Sequence, residues 1–140
     1  MKIWLLDTGP IIAYLDPRDP FHAPVTQQLG QFSGRLCTTS AVITEAMHFV
    51  APSRNGPELL AGFAATANLE TYDLSQSAAL TEAALLMQKY RDTPMDYADA
   101  TLLLLAEHLE IKSIATLDRR GFSAYRTRQG KPLRQVLQLS

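Results

Sequence analysis

Short apolar runs alternate with longer segments of helical periodicity along this chain, and that alternation predicts its fold class. Strands are expected at residues 2–6, 35–38, 69–72 and 112–117. Helices are expected near residues 8–15, 22–31, 40–50, 58–67, 75–90 and 93–109. Strands that are separated by helices favour a parallel sheet covered by helices on both faces. The sequence therefore predicts one three-layer α/β domain that spans residues 1–140.

Three local features refine these boundaries. Pro10 suits the first position of a helix, because its missing N–H is not needed there. The run Thr93-Pro94-Met95-Asp96 predicts another helix start, with Thr93 as the cap and Asp96 as the third helical residue. The carboxyl-terminal segment is ambiguous, and a short edge strand is expected near residues 123–126.

Composition indicates a globular protein without a membrane segment. The chain has 46% hydrophobic and 19% charged residues, which is ordinary for a folded domain. The apolar run before Asp7 is too short for a signal peptide, and no stretch reaches the roughly 18 apolar residues of a membrane span. The single cysteine, Cys37, has no partner for a disulfide and is expected to be buried. We expect a cytoplasmic protein.

The net charge of −1 hides an uneven distribution of charge along the chain. Residues 1–118 contain all 14 acidic residues, whereas the chain after them has six basic residues and no Asp or Glu. A local basic surface suits phosphate backbones. The candidate phosphate contacts are Arg119, Arg120, Arg126 and Arg128. The alternative is a solvated tail that has no partner.

Two acidic residues follow predicted strands. Asp7 comes directly after the first strand, and Asp118 comes directly after the fourth. In open parallel sheets the functional crevice lies beyond the carboxyl ends of the strands, near a switch in strand order. We therefore expect both carboxylates to project into the same crevice, although a single acid at a strand end is more often a helix cap.

Glu45 and Asp99 are predicted to lie within strongly apolar helices. Carboxylates that face a low-dielectric interior are costly unless they are paired or bind a metal. Clustered carboxylates raise one another's pKa values and stay ionised at neutral pH only with a cation. Oxygen ligands suit hard cations such as Mg²⁺ or Mn²⁺ rather than zinc. One or two such ions favour hydrolysis of phosphodiesters, which needs no Ser or Cys nucleophile.

Three neighbouring polar residues have two interpretations each. Asp96 could share the helix face of Asp99 and assist the metal site, or it could only favour the start of its helix. Thr8 and Thr116 could orient a water or a ligand, or they could serve in capping and strand packing.

Four sequence motifs resemble those of the PIN-domain family. Asp7-Thr8-Gly9-Pro10 resembles the first motif of that family. The segment that carries its glutamate is similar to Thr39-Ser40-Ala41-Val42-Ile43-Thr44-Glu45. Its "DA" helix resembles Met95-Asp96-Tyr97-Ala98-Asp99-Ala100-Thr101-Leu102, and its T-x-D end motif resembles Ala115-Thr116-Leu117-Asp118-Arg119-Arg120-Gly121-Phe122. The four motifs occur in the family's order and cover nearly the whole chain.

This resemblance implies a five-stranded parallel sheet between helices, with Mg²⁺ or Mn²⁺ at Asp7, Glu45, Asp99 and Asp118. Small single-domain members are often VapC-like ribonuclease toxins of type II toxin–antitoxin pairs. The resemblance therefore implies an endoribonuclease that cuts RNA, forms a homodimer and is inhibited by a small antitoxin protein. The basic residues after Asp118 would then contact RNA phosphates.

Three other functions remain open at this point. A catalytically silent PIN-like scaffold would bind RNA or protein without cutting it. A receiver domain and a haloacid-dehalogenase-like phosphatase also bind Mg²⁺ beside an Asp that follows the first strand. The phosphatase needs a second Asp two residues later, where this chain has Gly9, and the receiver needs an acidic pair where Asp7 stands alone.

Overall fold

The computed structural model describes residues 1–139, which form five strands and seven helices. The strands are β1 (Ile3–Leu6), β2 (Arg35–Thr39), β3 (Glu70–Tyr72), β4 (Ser113–Ala115) and β5 (Arg134–Gln135). The helices are α1 (Thr8–Leu15), α2 (His22–Gln31), α3 (Ser40–Val50), α4 (Gly56–Thr66), α5 (Ser77–Lys89), α6 (Tyr97–Leu109) and α7 (Arg119–Ala124). Within residues 1–90, each predicted strand and helix is present, with ends that differ by two residues at most.

The five strands form one parallel sheet in the order β3-β2-β1-β4-β5. β1 lies at the centre, where Leu5 pairs with Cys37 of β2 and with Ile114 of β4. The chain runs outward from β1 to β2 and β3, and then returns to the other side of β1 with β4 and β5. Strand order therefore switches between β1 and β4, and the crevice of such a sheet opens at their carboxyl ends.

Helices cover both faces of this sheet. Helices α1 to α4 contact one another and α5 packs on α6, which is the grouping expected when right-handed crossovers place the two sets on opposite faces of a parallel sheet. The predicted three-layer α/β/α fold with a parallel five-stranded sheet is confirmed. Among residues 1–139, no helix is long and apolar enough to span a membrane.

The helix α6 is the most deeply embedded element of the fold. Eight of its 13 residues are buried, and it packs against β2, α3 and α5. Its buried hydroxyl, Thr101 Oγ1, lies 2.8 Å from Thr39 Oγ1 at the end of β2, so this polar pair is satisfied inside the core. On the same strand, Cys37 is fully buried, as expected for a small hydrophobic side chain. The position of α6 is therefore fixed by the core rather than by its surface.

The carboxyl-terminal segment packs on the domain instead of forming a solvated tail. Leu133 and Leu137 are buried. The side-chain amide of Gln28 donates to the carbonyl oxygen of Gln138 at 2.6 Å, and the Gln138 N–H donates to Gln28 Oε1 at 2.7 Å. This reciprocal pair fastens the end of the chain to α2.

The predicted start of α6 is wrong. This helix begins at Tyr97 with Asp96 as its N-cap, and not at Thr93. The carbonyl oxygens of Thr93 and Pro94 accept hydrogen bonds from the buried Tyr125 hydroxyl, at 3.3 and 2.7 Å. Because these two carbonyls bond a side chain, they are not used in a helical turn.

Two further local predictions are also wrong. Pro10 is the third residue of α1 and not the first, because Asp7 is the N-cap of that helix. Residues 123–126 do not form an edge strand: the Asp118 side chain caps α7, which runs to Ala124, and the edge strand of the sheet is β5. In both cases an aspartate side chain, Asp7 or Asp118, caps the helix and so determines the residue at which it starts.

Two glycines of α4 are expected to respond in opposite ways to replacement by alanine. A Cβ at Gly56 would lie 1.9 Å from the Val50 carbonyl oxygen, which is backbone and cannot rotate away. A Cβ at Gly62 would meet nothing within 4 Å. We predict that Gly56→Ala lowers the free energy of unfolding by about 1–3 kcal/mol, whereas Gly62→Ala raises it by about 0.5–1 kcal/mol. Urea denaturation followed by circular dichroism measures both, and equal shifts in the two variants would contradict the backbone contact.

Candidate metal centre

An acidic pocket of about 570 Å³ opens beyond the carboxyl ends of β1 and β4. Six carboxylates from five separate stretches of the chain line it: Asp7, Asp19, Glu45, Asp96, Asp99 and Asp118. All four predicted site residues are therefore brought to one place. Asp96, for which two interpretations were open, lies there as well.

Asp7 is the most tightly held of these carboxylates. It is only 6% exposed. The Thr8 N–H donates to its Oδ1 at 2.8 Å, and the Thr116 hydroxyl donates to its Oδ2 at 2.7 Å. Its own N–H donates to the Ala115 carbonyl oxygen at 3.0 Å. Both oxygens are thus oriented, and each retains a lone pair for another partner.

Thr116 and Gly121 position Asp118. The strand β4 ends at Ala115, so Thr116 rather than Asp118 is the first polar residue after it. Thr116 Oγ1 accepts from the Asp118 N–H at 3.0 Å, and Asp118 Oδ1 accepts from the Gly121 N–H at 3.0 Å. A Cβ at Gly121 would lie 2.2 Å from Asp118 Oδ2, so only glycine leaves this carboxylate where it is. The Thr116 hydroxyl therefore links two of the predicted site residues.

Asp96 and Asp99 form a reciprocal capping box at the start of α6. Asp96 Oδ1 accepts from the Asp99 N–H at 2.8 Å, and Asp99 Oδ2 accepts from the Asp96 N–H at 3.2 Å. Asp96 is therefore the cap itself, and Asp99 lies in the first helical turn rather than the second. One oxygen of each carboxylate serves the cap, and the other remains for the pocket.

Glu45 reaches the pocket from α3, opposite the start of α1. It lies in the second turn of its helix and is partly buried. Nearby, the Thr8 hydroxyl is buried and makes no well-formed hydrogen bond within the described residues. A buried hydroxyl needs a partner. An oriented water or a cation in the pocket would supply one.

Burial and mutual repulsion raise the pKa values of three of these groups. Burial raises the pKa of Asp7 to about 6, against the opposing hydrogen bonds from Thr116 and Thr8, and the charges of Asp96 and Glu45 add to the rise. Burial, followed by the charges of Asp96 and Asp7, raises the pKa of Asp99 to about 8. Burial and the adjacent Asp96 raise the pKa of Glu45 as well. Without a cation, the pocket therefore retains protons at neutral pH.

The donor set fits a hard divalent cation. The pocket offers carboxylate and hydroxyl oxygens, and neither His nor Cys lines it. Within residues 1–139, no three acidic, His or Cys side chains are arranged to enclose an ion by themselves. Mg²⁺ commonly keeps several waters and takes only one or two carboxylates directly, so an open arrangement of this kind suits it.

The four candidate arginines differ in their surroundings. Arg119 and Arg120 follow Asp118 directly and are exposed, and Arg119 Nη2 donates to the Leu137 carbonyl oxygen at 2.8 Å. Arg126 donates to the backbone of Ser123 and Tyr125. The Arg128 guanidinium pairs with Glu82 at 2.9 Å and with Glu107 at 2.7 Å, which neutralises its charge.

Three residues at or behind this pocket were not predicted from the sequence. Asp19 and Phe49 line it, the latter from an exposed position one turn beyond Glu45. Tyr125 is 1% exposed and holds the Pro94 carbonyl, so it anchors the segment that leads into the capping box. The one signal available in the sequence was the spacing of Glu45 and Phe49, which are four residues apart on a predicted helix and therefore lie on the same face of it.

Comparison with known proteins agrees with this geometry. The family model described as PIN domain matches residues 4–127. Ribonuclease VapC26 of Mycobacterium tuberculosis is 32% identical, over 87% of this chain and 91% of that protein.

Three solved structures share the fold at low identity. VapC20 of Mycobacterium tuberculosis, described as a toxin that cleaves the sarcin-ricin loop, has a TM-score of 0.73 at 16% identity, over 88% of this chain and 95% of that one. DNA-bound VapBC from Salmonella typhimurium has a TM-score of 0.67 at 19% identity, over 96% of this chain and 98% of that one. VapBC2 from Rickettsia felis, bound to a DNA fragment from its promoter, has a TM-score of 0.62 at 14% identity, over 96% of this chain and 97% of that one. With its family match, its VapC relative and its sheet-end pocket, this chain belongs to the PIN-domain family, in the group of VapC toxins.

Proposed function

We propose that this protein is an endoribonuclease that hydrolyses RNA phosphodiesters with Mg²⁺ or Mn²⁺ held by Asp7, Glu45, Asp99 and Asp118. The observation that carries the proposal is the convergence of these carboxylates in one pocket at the strand-order switch. The 32% identity to a protein named as a ribonuclease supports RNA as the substrate.

The chain's own residues prepare this site before any substrate arrives. Thr8 and Thr116 hold the Asp7 carboxylate at both oxygens, and the capping box fixes Asp96 and Asp99 on the rigid helix α6. Such preorganisation reduces the reorganisation needed in the transition state. A bound divalent ion would supply the positive charge that stabilises the transition-state phosphate and activates the attacking water. The protons retained by Asp7 and Asp99 would leave as the cation is bound.

The assembly of the protein is part of the same proposal. We infer a small antitoxin partner, which the shared fold with two VapBC structures supports, and a homodimer, which the family resemblance implies. Leu59 and Leu85 are 52% and 66% exposed, and they provide apolar surface for such contacts, whereas their neighbours Leu60 and Leu86 are buried in the core.

Removing the cation or one of its ligands is expected to abolish RNA cleavage. We predict that excess EDTA, Asp7→Asn and Asp99→Asn each lower the cleavage rate of single-stranded RNA by about a hundredfold or more. Glu58→Gln, on the exposed side of α4, is the matched control and keeps full activity. Gel-based cleavage assays with a Mg²⁺ and Mn²⁺ titration measure these effects. Full activity in EDTA, or in either Asn variant, is the outcome that refutes the proposal and leaves the silent scaffold as the alternative.

The stability of the metal-free protein is expected to fall as the pH rises. The folded protein holds protons on Asp7 up to a pKa of about 6 and on Asp99 up to a pKa of about 8. In the unfolded chain the pKa of Asp is about 3.9. The stabilising contribution is therefore complete below about pH 4 and is lost progressively as the pH rises through 6 and 8.

Thermal unfolding at several pH values between 5 and 9 tests this dependence, with and without Mg²⁺. We predict that Asp99→Asn raises the melting temperature of the metal-free protein at about pH 8.5 and flattens its pH profile, and that Mg²⁺ restores stability to the unmodified protein at that pH. A melting temperature that rises steadily from about pH 5 to 9 without metal would contradict the electrostatic account of the pocket.

We propose that the arginines beyond Asp118 contact RNA phosphates to unequal extents. Arg120 is exposed beside the pocket, and its side chain makes no recorded ion pair within residues 1–139. We predict that Arg120→Gln weakens RNA binding and reduces the slope of log affinity against log salt by about one. Arg128→Gln is the comparison variant, and its slope is expected to change less because Glu82 and Glu107 already neutralise this arginine. An unchanged slope for Arg120→Gln would remove Arg120 from the binding surface.

A further inference from the structure

The acidic pocket has an aromatic wall that its carboxylates do not explain. Phe49 lines the pocket and is 61% exposed. Within residues 1–139, the large hydrophobic side chains that are exposed are Met1, Phe21, Phe49, Leu59, Leu80 and Leu85. Of these six, only Phe49 borders the carboxylates. Its position therefore calls for an explanation that the other exposed apolar residues do not require.

The fold of the domain does not require this side chain. Phe49 is absent from the buried core and from the partly buried apolar residues of the described chain that pack against it. Its one recorded aromatic contact is with the neighbouring His48, whose ring centroid lies 6.1 Å away at an interplanar angle of 67°. No aromatic ring among the described residues is therefore stacked parallel to Phe49, and most of its side chain is exposed.

Helix geometry directs Phe49 toward the carboxylates. Glu45 and Phe49 are four residues apart on α3, so their side chains are neighbours on one face of that helix. Long helical side chains also lean toward the helix amino terminus, which brings the Phe49 ring over the turn that carries Glu45. Ile12 lines the same pocket and adds apolar surface. The side chains of Phe49 and Ile12 thus form an apolar surface directly beside the carboxylates of the pocket.

We propose that Phe49 is a stacking platform for a nucleobase of single-stranded RNA, next to the phosphate that is cleaved. This inference rests on the proposed function, because it requires RNA to enter this pocket. The carboxylates of the pocket repel phosphates unless a cation is present, whereas a base that stacks on an aromatic face brings no charge. Single-stranded RNA is recognised in this way, through splayed bases on aromatic side chains. Phe49 would therefore favour unpaired RNA and hold the nucleotide beside the cleaved bond.

Kinetics of a substitution series at this position test the stacking role. We expect Phe49→Ala and Phe49→Leu to lower kcat/KM on single-stranded RNA by about fivefold to a hundredfold, the range of one base–aromatic stack. Phe49→Tyr and Phe49→Trp should retain activity within about threefold, because they keep a flat aromatic face. Leu80→Ala, at an exposed residue of α5 to which no contact is assigned, is the matched control. Equal activity of the Ala and Trp variants would overturn the proposal.

A fluorescence experiment separates this proposal from the cleavage activity. Phe49→Trp is combined with Trp4→Phe, which removes the single native tryptophan, so that the signal comes from position 49 alone. With Mg²⁺ present, an oligonucleotide of uridines is expected to quench this tryptophan, and an abasic ribose-phosphate oligomer of equal length is not. Quenching without any cleavage would keep the stacking role while the proposed catalysis fails.

The opposite results identify the rival occupants of this surface. Cleavage by the unmodified protein together with equal quenching by both oligomers would overturn the stacking role and leave the ribonuclease intact. Unchanged RNA kinetics in Phe49→Ala, combined with loss of self-association in light scattering, would also overturn it and assign Phe49 to a contact between two copies of the chain.

Discussion

The hydrogen bond from the Thr116 hydroxyl to Asp7 is the contact on which the pocket depends. It joins the end of β1 to the end of β4, at the point where strand order switches. The same hydroxyl accepts from the Asp118 N–H, so one small side chain orients acids from both strands. Because Asp7 is 6% exposed, its charged form is costly there, and these donors are what make that position tenable. The chemistry of the site follows from this arrangement, since an oriented, partly protonated carboxylate cluster is a natural binding place for a hard cation.

The core and the pocket are stabilised by different and partly opposed interactions. The buried side chains of α6 and the central strands stabilise the fold, while the carboxylates at its edge oppose it whenever they are ionised together. Such a conflict between folding and chemistry is common at functional sites. Here it is confined to the ends of β1, β4 and α6, so the scaffold bears the cost without changing its architecture.

The sequence predicted those parts of the structure that depend on local periodicity and on the rules of parallel sheets. Asp7 and Glu45 could be located because apolar strands and helices with clear ends precede or surround them. The start of α6 could not, because a distant hydroxyl, that of Tyr125, takes up the carbonyls of Thr93 and Pro94. The ion pair of Arg128 with Glu82 could not be predicted either, because the two residues are 46 positions apart in the sequence and meet only in the folded chain. Phe49 was overlooked because an aromatic residue on an amphipathic helix is ordinarily assigned to the core.

The capping box at the start of α6 has a consequence for how this protein can change over evolutionary time. Most capping boxes tolerate exchange among Ser, Thr, Asp, Glu and Gln, because only the helix uses them. In this chain the two reciprocal partners are both Asp, and their carboxylates also line the pocket. A lineage that loses its need for the pocket can therefore exchange these acids only for other capping residues, because any other loss loosens the first turn of the helix around which the core is built. Descendants without activity are expected to keep a polar capping pair at the start of α6 after the two carboxylates have gone.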